Sequence, residues 1–135
     1  MRILALDHGS RRIGIAISDE MQMIATPLEF IPASPLTEVV GHLKRLVTEK
    51  QVQLLLIGMP RNMEGTYGPA AEKVREFVAT LKDALPVPIK TWDERLTSAQ
   101  ANRFLIQANV RRAKRKEKVD KTAAAILLQS YLDSR

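Results

Sequence analysis

The sequence has no cysteine and only two histidines among 135 residues. That absence excludes disulfides, thiol nucleophiles and cysteine-ligated zinc together, so any catalysis must come from carboxylates, imidazole, hydroxyls or amines. It also fits a reducing cytoplasm. Long apolar runs are missing too: the longest are a few residues, far below the ~20 that a membrane-spanning helix needs. The opening MRILALDHGS carries one Arg, a short apolar stretch and then an Asp, the pattern of a strand and not of a secretory signal. The expectation is a cytoplasmic protein without a membrane partner.

What is present suits one globular domain spanning residues 1–135, with 45% apolar and 27% charged residues, enough to bury one sheet and the helices that cover it. The formal charge of +6 favours an acidic partner, and its distribution is uneven. Arg111, Arg112, Lys114, Arg115, Lys116 and Lys118, set against Glu117, carry a net +5 and leave +1 for the rest of the chain. Most charge runs are solvated loops. Here six cations fall within eight residues with no acidic block to offset them, which favours contact with the phosphates of a nucleic acid.

The hydrophobic pattern predicts an element order of β-β-β-α-β-α-β-α-α. Residues 2–7 and 12–18 are short apolar runs separated by His8 to Arg11, a hairpin with glycine in its turn. A third strand is expected at about 22–31, with Pro27 placing it at an edge or a bulge. From Leu36 the period changes, since Leu36, Val39, Val40, Leu43, Leu46 and Val47 recur at helical spacing. The continuous run VQLLLIG at 52–58 predicts a central parallel strand covered on both faces. Pro69 suits the first position of the next helix, which ends before Pro86. VPIKTW at 87–92 reads as the last strand, and Thr97 with Gln100 as a capping box opening a helix through Leu105. The final helix is expected from near Val119 to about Leu132. The fold class is thus α/β: a five-stranded mixed sheet, three antiparallel strands followed by two parallel ones, flanked by helices.

Three places combine a carboxylate with the end of an element. Asp7 closes the first strand, and Asp93 and Glu94 close the last. Asp120 falls at the start of the final helix, with Ala123, Ala124, Leu127 and Tyr131 at i+3, i+4, i+7 and i+11, so it lies on the apolar stripe. An unpaired carboxylate there costs several kcal/mol. Each acid also has a plain structural role open to it: Asp7 in an Asx turn, Asp93 or Glu94 paired with Arg95, Asp120 favoured by the helix dipole. If the acids meet at one sheet edge they need a cation, and the residue supply favours a hard, oxygen-liking ion, Mg²⁺ or Mn²⁺. Two such ions about 3.5–4 Å apart would serve an in-line phosphodiester displacement. Arg11, Arg12 and Arg61 are candidate phosphate ligands and equally candidate solvated loop residues. His8 beside Asp7 reads better as a turn residue than as a base, and Trp92 as packing.

The stretches ALDHGSRRIGIAISD, IGMPRNMEGTYGPAAEKVREF, TWDERLTSAQAN and VDKTAAAILLQSYLD resemble, in order and over nearly the whole length, the YqgF family. Its members are described as Holliday-junction-resolvase-like and as nucleases that mature the 5′ end of pre-16S ribosomal RNA. The resemblance implies an RNase H-like fold and a metal-binding catalytic triad of Asp7, Glu94 and Asp120. Many RNase H-like enzymes carry an acid at the end of the fourth strand, where this chain has Gly58-Met59-Pro60. The middle carboxylate must then come from the fifth strand, as Glu94 or, with a one-residue change of register, Asp93.

Three functions follow. The first is a metal-dependent nuclease, endo- or exonucleolytic, acting on an rRNA precursor or on branched DNA. The second is a nucleic-acid-binding module that does not cut, against which the retained acids argue. The third is an ATP phosphotransferase, because Asp7-His8-Gly9-Ser10 and Gly14 also resemble the first phosphate loop of actin- and sugar-kinase-like enzymes, which need a second lobe. A junction resolvase requires two sites related by a dyad; monomer and homodimer both remain open at this stage.

Overall fold

A computed structural model describes residues 1–9, 11–59, 68–93 and 112–135, with the side chains of residues 70 and 112–122 outside the description. Five strands form one sheet in the order β3-β2-β1-β4-β5: β1 (Arg2–His8), β2 (Arg12–Ser18), β3 (Ala25–Pro32), β4 (Val52–Met59) and β5 (Ile89–Asp93). Helices α1 (Leu36–Glu49) and α2 (Pro69–Ala84) follow β3 and β4, and α3 (Arg112–Asp133) ends the chain. The first three strands pair antiparallel, and β1, β4 and β5 run parallel. This is the mixed sheet expected from the sequence. The helix expected from Thr97 lies outside the described residues.

Side chains alternate across the sheet and divide the core in two. Leu4, Leu6, Ile13, Ile15, Leu55 and Ile57 join Val39, Leu43, Val74, Phe77 and Leu81 on the face covered by α1 and α2. Ile3, Ala5, Ala16 and Leu56 meet Ala124, Leu127 and Leu128 of α3 on the other. Each fully buried Leu or Ile contributes about 1.5–3 kcal/mol relative to exposure. β4 carries buried residues of both clusters, which is why its run is uninterrupted.

Three elements start at residues other than the expected ones. β3 begins at Ala25 and not near residue 22. Asp19 folds residues 19–24 into a turn, its carboxylate accepting the Met23 and Ile24 amides at 2.8 and 2.9 Å, and Gln22 takes φ 57°. Pro27 sits where expected: β3 is the last strand on its side, and the register with β2 shifts between Ile15 and Ala16, whose partners are Glu29 and Pro27. β5 begins at Ile89, after Pro88, which has no amide to pair. The largest difference is α3, which starts at Arg112 and not near Val119. Residues 112–118 therefore form its first two turns, where a loop was the plainer expectation. Lys, Arg and Glu are good helix formers, and no Gly or Pro interrupts the chain after residue 110.

Candidate active site at the end of the first strand

The tight turn between β1 and β2 fixes the end of β1. The Gly9 amide donates to the Arg12 carbonyl at 3.0 Å, and a Cβ on Gly9 would sit 2.6 Å from that oxygen. Only glycine lets the two backbones approach so closely. Asp7 therefore stands at the closed end of the hairpin, half-buried. Ile3 and Ala5 belong to the α3 side of the core and Leu4 and Leu6 to the other. By alternation Asp7 lies on the α3 face.

Its neighbours on that face are defined by the register. Gly14 is opposite Asp7 on β2, and Phe30 opposite Gly14 on β3. On the other side Leu6 is level with Ile57, so the next step sets Asp7 beside Gly58, and Gly58 is level with Trp92. One row thus crosses all five strands on the α3 face: Phe30, Gly14, Asp7, Gly58, Trp92. Strands lie about 4.8 Å apart, so each aromatic backbone is about 10 Å from that of Asp7. The residues level with Asp7 on the two adjacent strands, Gly14 and Gly58, carry no side chains. The sequence signal for this cradle was there, a glycine inside each of the apolar runs RIGIAIS and LLLIGM, since glycine within a strand often marks close approach of a ligand.

Trp92 anchors the row to α3. Its ring meets Tyr131 edge-on at 5.3 Å, and its indole N–H donates to Ser130 Oγ at 3.4 Å. The packing role expected of it is the one it has. Trp92 joins the α3 side of the core, whereas Ile89 packs with the α1 and α2 side. Asp93 therefore points away from the face of Asp7.

His8 is the last residue of β1, paired with Ile13, and not a turn residue. It faces the opposite side from Asp7, with its ring 4.6 Å from that of Phe77. Burial against this apolar surface holds its pKa below the ordinary imidazole range, outweighing the neighbouring Asp7 charge, while Lys73 lowers it further. A half-buried imidazole on the far face is poorly placed to assist at Asp7.

Arg11 is exposed in the hairpin turn, and its carbonyl accepts the Ala33 amide at 2.9 Å. Arg12 lies on the Asp7 face, its guanidinium carbon 4.3 Å from the centre of the Phe30 ring. Arg112, Lys114, Arg115, Lys116 and Lys118 lie in the first two turns of α3. Asp120 is the ninth residue of that helix, so the favourable dipole position at a helix start does not apply to it. Its side chain lies outside the description, as do Glu94, Arg61 and Arg111 entirely. Among the described residues no three acidic or histidine side chains form a metal cluster. A separate cavity of about 470 Å³, lined in part by Glu29, Glu38, His42 and Arg45, lies between β3 and α1 and does not include Asp7.

The fold is shared with two solved resolvases. "T. thermophilus RuvC in complex with Holliday junction substrate" aligns with a TM-score of 0.58 at 15% identity, covering 100% of this chain and 96% of that one. The fowlpox virus Holliday junction resolvase also gives 0.58, at 16% identity with 100% of both chains covered. A mixed five-stranded sheet of this order is that of the RNase H-like fold. The family model described as "RuvX: Holliday junction resolvase" matches residues 1–134, and the chain belongs to that family. A protein of Halothermothrix orenii named "Putative pre-16S rRNA nuclease" is 47% identical over 133 residues, 98% of this chain and 95% of that protein. One of the same name from Desulforamulus reducens is 46% identical over 134 residues, 99% and 98% of the two chains. The resemblance drawn from the four motifs is borne out, and with it the class of activity: hydrolysis of phosphodiester bonds in nucleic acid.

Proposed function

We propose that this chain is a metal-dependent nuclease that matures the 5′ end of pre-16S rRNA in the cytoplasm, residues 1–135 acting as one domain with Asp7, Glu94 and Asp120 as its metal-binding acids. The observation that carries this reading is the place of Asp7: a single carboxylate between two glycines, on the face that α3 crosses. The cradle suits a hard cation, because its donor is an oxygen and side chains at positions 14 and 58 would occupy the space an ion and its waters require. The orientation of Asp93 toward the other face favours Glu94, the next residue in sequence, as the middle acid. α3 supports the third ligand. Gln129 is pinned to Ala25 and Met23 at the far end of the sheet by bonds of 2.9 Å. Asp120, nine residues earlier, is about 13.5 Å nearer the N-terminus of the helix.

Each part of the chain has a distinct task in this reading. Asp7, held by the strand, gives a ligand whose position does not change with substrate. The cationic turns of α3 and the hairpin arginines bind backbone phosphates and draw the substrate across the row. A pair of Mg²⁺ or Mn²⁺ ions bound by the three acids would supply an activated water and stabilise the leaving oxygen. The rRNA substrate is supported by the names of the relatives, and the family's description favours a second substrate, a four-way DNA junction. Among the described residues no helix is long and apolar enough to cross a membrane.

The test compares an RNA with a 5′ precursor extension and a four-way DNA junction, with wild type and Asp7→Asn, in Mg²⁺, Mn²⁺ or chelator. Wild type is expected to cut the RNA only with metal, and Asp7→Asn to bind without cutting. Cleavage of the junction alone, by a protein that sediments as a dimer, selects the second reading. Binding of both without cleavage under any metal rejects catalysis in favour of a binding module.

A further inference from the structure

We propose that Phe30 is a positioning residue of the nucleic-acid site: its ring is the platform that holds the Arg12 guanidinium at the Asp7 face, where it engages a backbone phosphate of the bound strand. The inference rests on the reading of Asp7 as the nuclease centre and adds to it a residue that carries no charge and no hydrogen-bonding group.

Three observations converge. Phe30 and Asp7 belong to one row, and Gly14, the β2 residue level with both, contributes no side chain between them. Arg12 precedes Gly14 by two residues on β2 and so shares its face, and its backbone is diagonal to that of Asp7, about 7–8 Å away. The guanidinium carbon is 4.3 Å from the ring centre, within the range where the negative face of an aromatic ring attracts a cation. The in-plane N–H groups of an Arg stacked on a ring match the bidentate geometry of a phosphate. Stacking also removes rotamer freedom before substrate arrives, so less is lost on binding. Such a cation two residues from the Asp7 row would hold a phosphate at a fixed offset from the bond to be cut. Phe30 thus acts through Arg12.

The experiment is a double-mutant cycle on binding, read in chelator so that cleavage does not enter. The probe is the 5′-extended RNA, and its dissociation constant is followed across a salt series. Arg12→Ala should weaken binding and flatten the salt dependence by about one phosphate contact. Phe30→Leu, which keeps apolar bulk without the ring, should weaken binding on the order of three- to tenfold. Phe30→Tyr should bind as wild type. The double variant Arg12→Ala with Phe30→Leu should bind no more weakly than Arg12→Ala alone. The proposal is overturned if Phe30→Leu binds like wild type, if the two effects simply add, or if Phe30→Tyr fails as Phe30→Leu does. It also falls if Arg12→Ala leaves affinity and salt dependence unchanged, an outcome that leaves the nuclease reading to the Asp7→Asn cleavage assay.

Discussion

Asp7 owes its accessibility to two residues that have no side chain. Valine at Gly14 or Gly58 would suit a strand well, because β-branched residues favour the pleated backbone. Gly14→Val and Gly58→Val should therefore melt no lower than the wild type by more than a few degrees while cleavage falls at least tenfold, as thermal melts and initial rates would show. A parallel loss of stability and activity would mean that the glycines serve folding and not the site. Asp93, the last residue of β5, and Glu94, which follows it in sequence, permit a sharper comparison. If Glu94 is the proposed metal ligand, Glu94→Gln should reduce cleavage by about a hundredfold or more, since a lost ligand forfeits several kcal/mol of charge stabilisation. Asp93→Asn, on the face away from Asp7, should stay within about twofold of wild type; the reverse order of effects would reassign the ligand.

At the scale of elements, turns explain what the sequence left hidden. The order of strands and helices followed from periodicity, and the edge position of β3 followed from Pro27. The start of β3 did not, because the stretch QMI reads as strand until Asp19 claims the Met23 and Ile24 amides. The start of α3 was missed for another reason: a cationic run has no apolar period, yet long charged residues propagate a helix readily. Within the site, Asp7 was legible as a carboxylate next to a glycine turn, whereas its glycine flanks require the register of three strands. The Asp19 turn has a pH signature. Amide donors from Ile24 and Met23 hold the Asp19 carboxyl below its ordinary range. Its folded pKa is lower than its unfolded one, so its contribution is fully present above the unfolded value of about 3.9 and is lost as pH falls through the lowered value. Asp19→Ala should thus melt below wild type at neutral pH, with the gap closing only in acid. A gap that is constant down to strongly acidic pH would assign the effect to the turn backbone instead of the carboxylate.

The molecule as a whole is built unevenly about its sheet. The face under α1 and α2 is lined by Leu, Ile, Val and Phe, whereas the α3 face uses Ala5, Ala16 and Ala124 beside its larger residues. Small residues let the helix approach closely, and they make each large one matter more. Leu128→Ala should cost about 2–5 kcal/mol and speed hydrogen exchange in α3 ahead of the sheet. Cleavage should drop with it, since α3 carries Asp120. Leu81→Ala, buried on the other side, should cost a similar amount yet retain activity wherever the protein remains folded. Equal losses of activity in the two variants would separate α3 from catalysis. The row that runs from Phe30 to Trp92 has a consequence for how such a chain can change in length. Five strands must each deliver one given residue to the same side of the sheet, and side chains alternate with a period of two. Inserting or deleting a single residue ahead of Asp7 within β1, Gly14 within β2 or Gly58 within β4 would turn that position to the far side unless a bulge absorbed the change. Length variation in descendants of this sequence should therefore be confined to the turns, or enter the strands two residues at a time.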